Sequence, residues 1–457
     1  DPFRPARGRP KRQTRRPGVA REPPARARHN RKKHVMSHTV AVQDLCVGMY
    51  VHLDLGWMRH PFPLSSFRIA SQDQIETIRR LGLTRLRWVP EKSDLTPADD
   101  ASATVADAVA AQEPPPEPSP AEREAAARRA ALKRQREAAA FCERQYLEAG
   151  QALRGSHLRA LTDPAAARDD TEALTRALVD KMLVDGEVCV RLLTTSAADR
   201  ATTHALNVAV IALLIGRRLA LDEADMVELG IGALMHDIGK LEMAERLRHP
   251  DEQMTAAEIT AYQQHVAHGV EIGRRMGLSE TALGVIADHH EAADGSGFPR
   301  RLNGERLSMA ARIVALVNRY DNLCNPHALA RAVTPHEALS VLFAQQRTRF
   351  DATVLNTFIR MMGVYPAGSV VQLTDDRYAL VVGVNSTRPL KPQVLVHDPA
   401  VPRDEALYLD LERAGDLGIR RSLNAGKLPR AALEYLAPRP RVNYYFEPLP
   451  PADEALE

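Results

Sequence analysis

Between residues 168 and 365, apolar side chains recur at helical spacing in segment after segment, with Gly and Pro falling mainly between the segments. Thr171–Leu183, Asp199–Leu219, Glu223–Met235, Ala256–Met276, Glu280–His290, Ser308–Cys324, Pro335–Gln345 and Ala352–Met362 read as successive helices. A run of this kind must bury its apolar stripes helix against helix. The most apolar stretch, Ala205 to Gly216, is interrupted by Asn207 and is too short to cross a bilayer. No membrane role is expected.

The flanks differ in character. Residues 1–35 hold 13 Lys/Arg against 2 Asp/Glu, a local charge of +11 in a chain whose formal net charge is +3. They are rich in Arg and Pro and poor in apolar residues, so a disordered basic extension is expected. It lacks the apolar centre of a signal peptide. The change of character at Met36 reads as the start of a domain, with 1–35 an upstream extension assigned by mistake. Residues 36–95 read as a small α/β module. Val40, Val42, Leu45, Val47, Met49, Val51 and Leu53 alternate as in half-buried strands, Gln72–Leu81 has helical spacing, and Arg85–Val89 reads as a closing strand.

Residues 96–150 form a Pro/Ala linker passing into a charged helix, offered as a surface for a homodimer. Residues 151–365 are read as the helical catalytic unit. Residues 366–457, with β-like Val370–Leu373, Tyr378–Val384 and Val394–Val396, are read as a β-rich appendage and tail. Cys46, Cys142, Cys189 and Cys324 are widely spaced, which fits a reducing, cytoplasmic setting.

Histidine placement carries the chemistry. His204, the pair His236-Asp237, His265 and the pair His289-His290 each fall on or at the end of an expected helix. Neighbours on a helix point about 100° apart, so a vicinal pair can address two ions. One carboxylate can bridge them, and imidazole serves Fe, Mn, Zn or Ni. Five His and one Asp suffice for a two-metal centre that clamps a phosphate for in-line displacement. The other helical-region and flanking histidines, His157, His249, His268, His327, His336 and His397, read as surface or satisfied core residues.

His236-Asp237-Ile238-Gly239-Lys240, followed by His289-His290-Glu291-Ala292-Ala293-Asp294-Gly295-Ser296-Gly297-Phe298-Pro299, resembles the HD-GYP family of bacterial phosphodiesterases. The resemblance spans about residues 198–370. Gly48-Met49-Tyr50-Val51 and Trp57-Met58-Arg59-His60-Pro61-Phe62 resemble a small domain of unknown function that often precedes HD-GYP domains.

The resemblance implies a mainly α chain: an HD-type helical, metal-dependent phosphohydrolase domain, a small α/β module before it and a small β-rich appendage after it. It implies hydrolysis of cyclic di-GMP to pGpG and/or GMP, with two divalent ions, Fe or Mn. The ligands carried over are His204, His236, Asp237, His265, His289 and His290, with Asp237 bridging. Lys240 would contact the scissile phosphate and, with Asp237, serve catalysis. Alternatively, Lys240 is a buried partner for Asp237. The loop of Asp294, Gly295, Gly297, Phe298 and Pro299 would lie near substrate, and in the family such loops meet proteins with a diguanylate cyclase domain. No nucleic acid polymer is implied.

Three departures bear on activity. Asn318 stands at the family's last Asp ligand, and its uncharged amide binds a cation more weakly. Arg200 stands where three-metal members have Glu, so two metals are expected rather than three. His327-Ala328-Leu329-Ala330 replaces Arg-Pro-Tyr-Arg, which leaves Arg331 as the phosphate-binding candidate. Two alternatives therefore stand beside the enzyme: a catalytically degenerate domain binding cyclic di-GMP or a partner protein, and an HD-domain phosphohydrolase on another nucleotide.

Overall fold

A computed structural model describes residues 38–94, apart from 56–59, 61 and 63–65, and residues 119–448, apart from 184–186, 195–198, 252, 386–387 and 389. The basic extension at 1–35, most of the linker at 96–118 and part of the Trp57–Phe62 motif lie outside these residues.

The N-terminal module is a four-stranded sheet with one helix. Strands β1 (His38–Ala41), β2 (Tyr50–His52), β3 (Ser66–Arg68) and β4 (Arg85–Trp88) pair antiparallel in the order β1-β4-β2-β3. Helix α1 (Gln72–Arg80) is capped by the Ser71 side chain, which accepts from the Gln74 amide. Its Ile75 and Ile78 enter a core with Val51, Leu53, Ile69 and Leu86.

Helix α2 (Pro120–Arg159) opens with a capping box between Ser119 and Glu122 and runs for 40 residues. Its first half is exposed, and only its second half buries side chains, among them Tyr146, Ala149 and Leu153. Next come α3 (Pro164–Met182) and strand β5 (Val188–Leu192). The helical body follows: α4 (Arg200–Arg218), α5 (Glu223–Met235), α6 (Ala256–Gln263), α7 (His265–Met276), α8 (Glu280–Asp288), α9 (Met309–Cys324), α10 (Pro335–Ala344) and α11 (Ala352–Met362). Every residue of α4 from Thr202 to Gly216 is buried. The apolar run at 205–216 is thus the central helix of a bundle, packed on α5 and α9. No helix of the described residues is long and apolar enough to cross a membrane.

The C-terminal part adds β6 (Val370–Leu373), β7 (Tyr378–Asn385), β8 (Gln393–Val396), β9 (Leu409–Asp410), β10 (Ile419–Leu423), α12 (Arg430–Leu436) and β11 (Tyr444–Pro448). The seven-stranded sheet has the order β10-β6-β7-β5-β11, with β8 on β7 and β9 on β8, all antiparallel. Strand β5 comes from a stretch where only helices were expected. Val188-Cys189-Val190-Arg191-Leu192 is a five-residue run with no alternation, because four of its residues are buried, and such a run is ambiguous by periodicity. The sheet also crosses the boundary expected at 365/366. Val442, Tyr444, Tyr445 and Phe446 pack in the same core as α4, α5 and α9.

This return of the chain matters for the site. Asn207 of α4 donates to the Val442 carbonyl and accepts from the Tyr444 amide, and Asn325 bonds both backbone groups of Val442. The only polar residue in the apolar run at 205–216 is therefore the clasp for the C-terminal strand.

Candidate metal centre

Four helix segments converge on Asp237. His204 stands in the second turn of α4. His236 caps α5 and Asp237 follows it, His265 begins α7, and His289 caps α8 with His290 next. Placement at helix ends frees the rings to turn inward while the helix bodies remain packed.

The hydrogen bonds decide which ring nitrogen faces inward. The Nδ1 atoms of His236, His265 and His289 lie 2.8, 2.6 and 2.8 Å from the carbonyl oxygens of Ala233, Tyr262 and Ile286, each three residues earlier. A carbonyl only accepts, so each Nδ1 donates and each neutral ring presents a bare lone pair at Nε2. His204 donates from Nδ1 to Asp321 Oδ2 at 2.6 Å. The Nε2 atoms then face one another in pairs, His204 with His236 at 3.2 Å and His265 with His289 at 3.3 Å.

Asp237 spans the two pairs. Its Oδ2 lies 3.7 and 3.5 Å from Nε2 of His204 and His236, and its Oδ1 lies 3.6 Å from Nε2 of both His265 and His289. Oδ1 is buried and has no hydrogen-bond partner. Facing lone pairs repel, and a buried carboxylate oxygen without a partner is costly. A cation between each set reverses both penalties. The spacing suits neighbouring ligands of an ion held at about 2.0–2.2 Å. Two groups can hold a metal ion: His204, His236 and Asp237, and Asp237, His265, His289 and His290.

Protonation does not supply the missing positive charge. Burial holds the His236 and His290 imidazoles well below their usual range and lowers His265 to about 4. Burial would raise the Asp237 carboxyl, but the Lys240 ammonium beside it outweighs this and keeps it well below the usual range. Lys240 Nζ donates to Asp237 Oδ2 at 2.6 Å and lies 5.6 Å from the Tyr262 ring centre. Its position depends on Gly239, where a Cβ would fall 1.9 Å from the His265 carbonyl oxygen and 2.4 Å from the Gly269 nitrogen.

The cluster opens into a cavity of about 610 Å³, within the range of small-molecule sites. His204, Asp237, Lys240, His289, His290, Phe298 and Asn318 line it, while His236 and His265 are fully buried. Phe298 stacks on His290, with ring centres 4.4 Å apart, and precedes a cis peptide to Pro299. Asp294, Gly295, Gly297 and Pro299 do not line the cavity. They build the loop behind Phe298. Asp294 accepts from the Ser296 amide, Gly295 has a φ of +75°, and a Cβ on Gly297 would lie 2.4 Å from the Ala292 nitrogen. Buried Glu291 holds the same loop by accepting from the amides of Arg300 and Leu302.

The three departures fall in different places. The Asn318 amide oxygen accepts from Asn322 Nδ2 at 2.6 Å, beside the cavity. Arg200 does point inward. It lines the cavity, with Nη1 2.7 Å from His249 Nδ1 and Nη2 donating to the Asn325 carbonyl. Arg331 is outside the cavity wall, 3.7 Å from Asp251, so the expected phosphate contact is not where it was sought. The cavity's guanidinium groups belong instead to Arg200, Arg248, Arg319 and Arg349. His157, His249 and His327, read from sequence as bland, also line it, the last two stacked at 4.4 Å. Nothing in their spacing signalled this. Tyr262 was likewise missed, although its position three residues before His265 could have marked it.

Residues 187–354 match the HD domain model, and residues 37–170 match a domain of unknown function, DUF3391. The chain carries an HD domain behind a DUF3391 domain. It is similar to a cyclic di-GMP phosphodiesterase of Pseudomonas aeruginosa, 27% identical over 83% of this chain and 90% of that protein. It is also similar to 3'3'-cGAMP-specific phosphodiesterase 3 of Vibrio cholerae, 30% identical over 36% of this chain and 35% of that one. Among solved structures, an HDG"Y"P protein from Bdellovibrio bacteriovorus covers 71% of this chain and 98% of its own, at 14% identity and a TM-score of 0.38.

Proposed function

We propose that this chain is a metal-dependent phosphodiesterase that hydrolyses cyclic di-GMP to pGpG and/or GMP in bacterial second-messenger signalling. The observation that carries the reading is the set of Nε2 lone pairs turned toward the two oxygens of one carboxylate. The relative in Pseudomonas aeruginosa, matched over nine-tenths of its length, supports the substrate.

His204 and His236 with Asp237 Oδ2 would hold one ion, and His265, His289 and His290 with Oδ1 the other. Fe and Mn suit a set of this softness. Arg200, a guanidinium on the cavity wall one turn from His204, argues for two ions rather than three. Ions held by these residues would supply Lewis acidity toward a phosphate ester and lower the pKa of a bound water.

The remaining work belongs to the protein. Lys240, fixed by Asp237, presents a cation where charge grows on the phosphate oxygens. Asp237 is kept ionised by its neighbours, so it stays a ligand through turnover. His290 and Phe298 form a stacked wall that limits water and orients the substrate. Asn318 stands beside the ions as a weak neutral ligand at most, because Asn322 already holds its oxygen. Under the same reading the protein works in the cytoplasm, the exposed half of α2 serves a homodimer, and the loop behind Phe298 serves a diguanylate cyclase partner.

The test is anaerobically purified protein assayed in one sample for metal content and for cyclic di-GMP turnover by chromatography. About two Fe or Mn per chain with pGpG or GMP appearing is expected. Metal without turnover would transfer the reading to another cyclic dinucleotide, and neither metal nor turnover would remove the enzyme.

A further inference from the structure

Cyclic di-GMP carries two phosphates, and the cluster around Asp237 engages one. The other negative charge needs its own partner. In the cavity wall, Arg319 follows Asn318 on α9, and Arg349 follows α10. Both are partly buried. Arg319 Nε donates to Gln346 Oε1 at 3.0 Å, which fixes the plane of the guanidinium and leaves its four terminal N–H groups available. Arg349 Nε is buried with no hydrogen-bond partner. Its backbone carbonyl accepts from the Ala293 amide at 2.8 Å, which ties it to the loop after His289-His290.

Among the described residues, no carboxylate lies within 4.0 Å of either guanidinium. By contrast Arg312, also partly buried, is paired with Asp351, and Arg300 is paired with the buried Asp288. Burial and the neighbouring Arg349 both disfavour the charged form of Arg319. Two neighbouring cations, partly withdrawn from water, with only the exposed Asp294 carboxylate near Arg349 and beyond ion-pair distance, are unfavourable unless an anion completes them. Planar guanidinium groups match a phosphate through paired N–H bonds. Their place in the same cavity as the cluster makes the anion part of the same ligand.

We propose that Arg319 and Arg349 together bind the second, uncleaved phosphate of a cyclic dinucleotide. The assignment rests on the phosphodiesterase reading for the identity of the ligand. It makes the pair a determinant of substrate class: esters with one phosphate gain nothing from it, and cyclic dinucleotides are selected by it.

The experiment compares cyclic di-GMP with bis(4-nitrophenyl) phosphate, a diester with a single phosphate, on wild type and on R319A, R349A and the double variant. Expected is a rise in KM for cyclic di-GMP of about 10- to 100-fold in the double variant, the loss typical of hydrogen bonds to a charged group. That loss exceeds any loss on the nitrophenyl ester by at least tenfold, and R319K/R349K recovers part of it. A second readout needs no turnover: calorimetric binding of cyclic di-GMP to metal-stripped protein, with circular dichroism as the check on folding. The double variant is expected to bind at least tenfold more weakly.

Equal losses on both esters, or unchanged cyclic di-GMP affinity, would overturn the pair while leaving the phosphodiesterase reading intact. If wild type cleaves neither ester but binding still falls in the double variant, the enzyme reading fails and the pair stands. If wild type binds no cyclic di-GMP at all, both fall.

Discussion

His204 donates its Nδ1 proton to Asp321 across 2.6 Å, and both groups are buried. Asp321 in turn accepts from the side-chain amides of Asn207 and Asn325. It lies three residues beyond Asn318 on α9. The structure puts it behind His204, on the far side of the ring from Asp237. A carboxylate there fixes the ring and raises the basicity of Nε2. Asp321→Asn is therefore expected to lower metal affinity about 10- to 100-fold while the helices stay folded. Metal titration of the stripped protein checks this; unchanged affinity would make Asp321 a purely structural residue.

Asp237 is the one residue shared by both ligand groups. Asp237→Ala should abolish turnover and remove metal from both positions, whereas His236→Ala should lose turnover and reduce bound metal. Helical circular dichroism should persist in both. Full activity in either variant would sink the two-metal reading.

Asn318 offers a test of the cavity edge. Asn318→Asp keeps the acceptor that Asn322 Nδ2 uses and adds a negative charge beside the cluster. Stronger metal retention during dialysis, or higher activity at limiting metal, is expected. No change in either would place the side chain outside the reach of the ions.

Gly239 permits the turn carrying Lys240 to lie against α7. Its missing Cβ would stand 1.9 Å from a backbone oxygen, which no rotamer change can relieve. Gly239→Ala should cost about 1–3 kcal/mol or more of stability and should displace Lys240 from Asp237, lowering kcat more than KM. Chemical denaturation and steady-state kinetics together measure this.

Acid should weaken the metal-free fold before carboxylates are protonated. Burial holds His265, His249 and His60 at about 4, below their ordinary 6.5. The unfolded chain therefore binds more protons between these values, so stability is full above pH 6.5 and falls as pH drops toward 4. For the fully buried His265 the loss is on the order of 3 kcal/mol at the low end. A flat denaturation midpoint across pH 6.5 to 4 would contradict the neutral-ring arrangement.

Much of the centre was legible in the residues because helix-end histidines and a vicinal Asp are local features. His204, His236, Asp237, His265, His289 and His290 do converge. The phosphate side was not legible. Arg331 was favoured for adjacency in sequence, yet it turns to Asp251, while Arg319 and Arg349, 30 residues apart, meet only in the fold. His249 and His327 gave no signal because a cavity wall has no sequence period. Strand β5 was hidden because burial on both faces erases the alternation that marks a strand.

By itself, the sequence determined a helical body, the segments that form it and the histidine and aspartate chemistry at their ends. These follow from spacing along one chain, which local geometry converts directly into helix faces and termini. Only the tertiary structure decided that the Nε2 atoms meet in pairs around Asp237 and that Asp321, 117 positions away, fixes the His204 ring, because those contacts depend on how the helices pack. It also decided that residues 442–446 close the core around Asn207 and Asn325, and that Arg319 and Arg349 meet on the cavity wall. The strand closure joins residues more than a hundred positions apart and the arginine pair residues 30 apart, and packing of this kind leaves no periodic trace in the sequence.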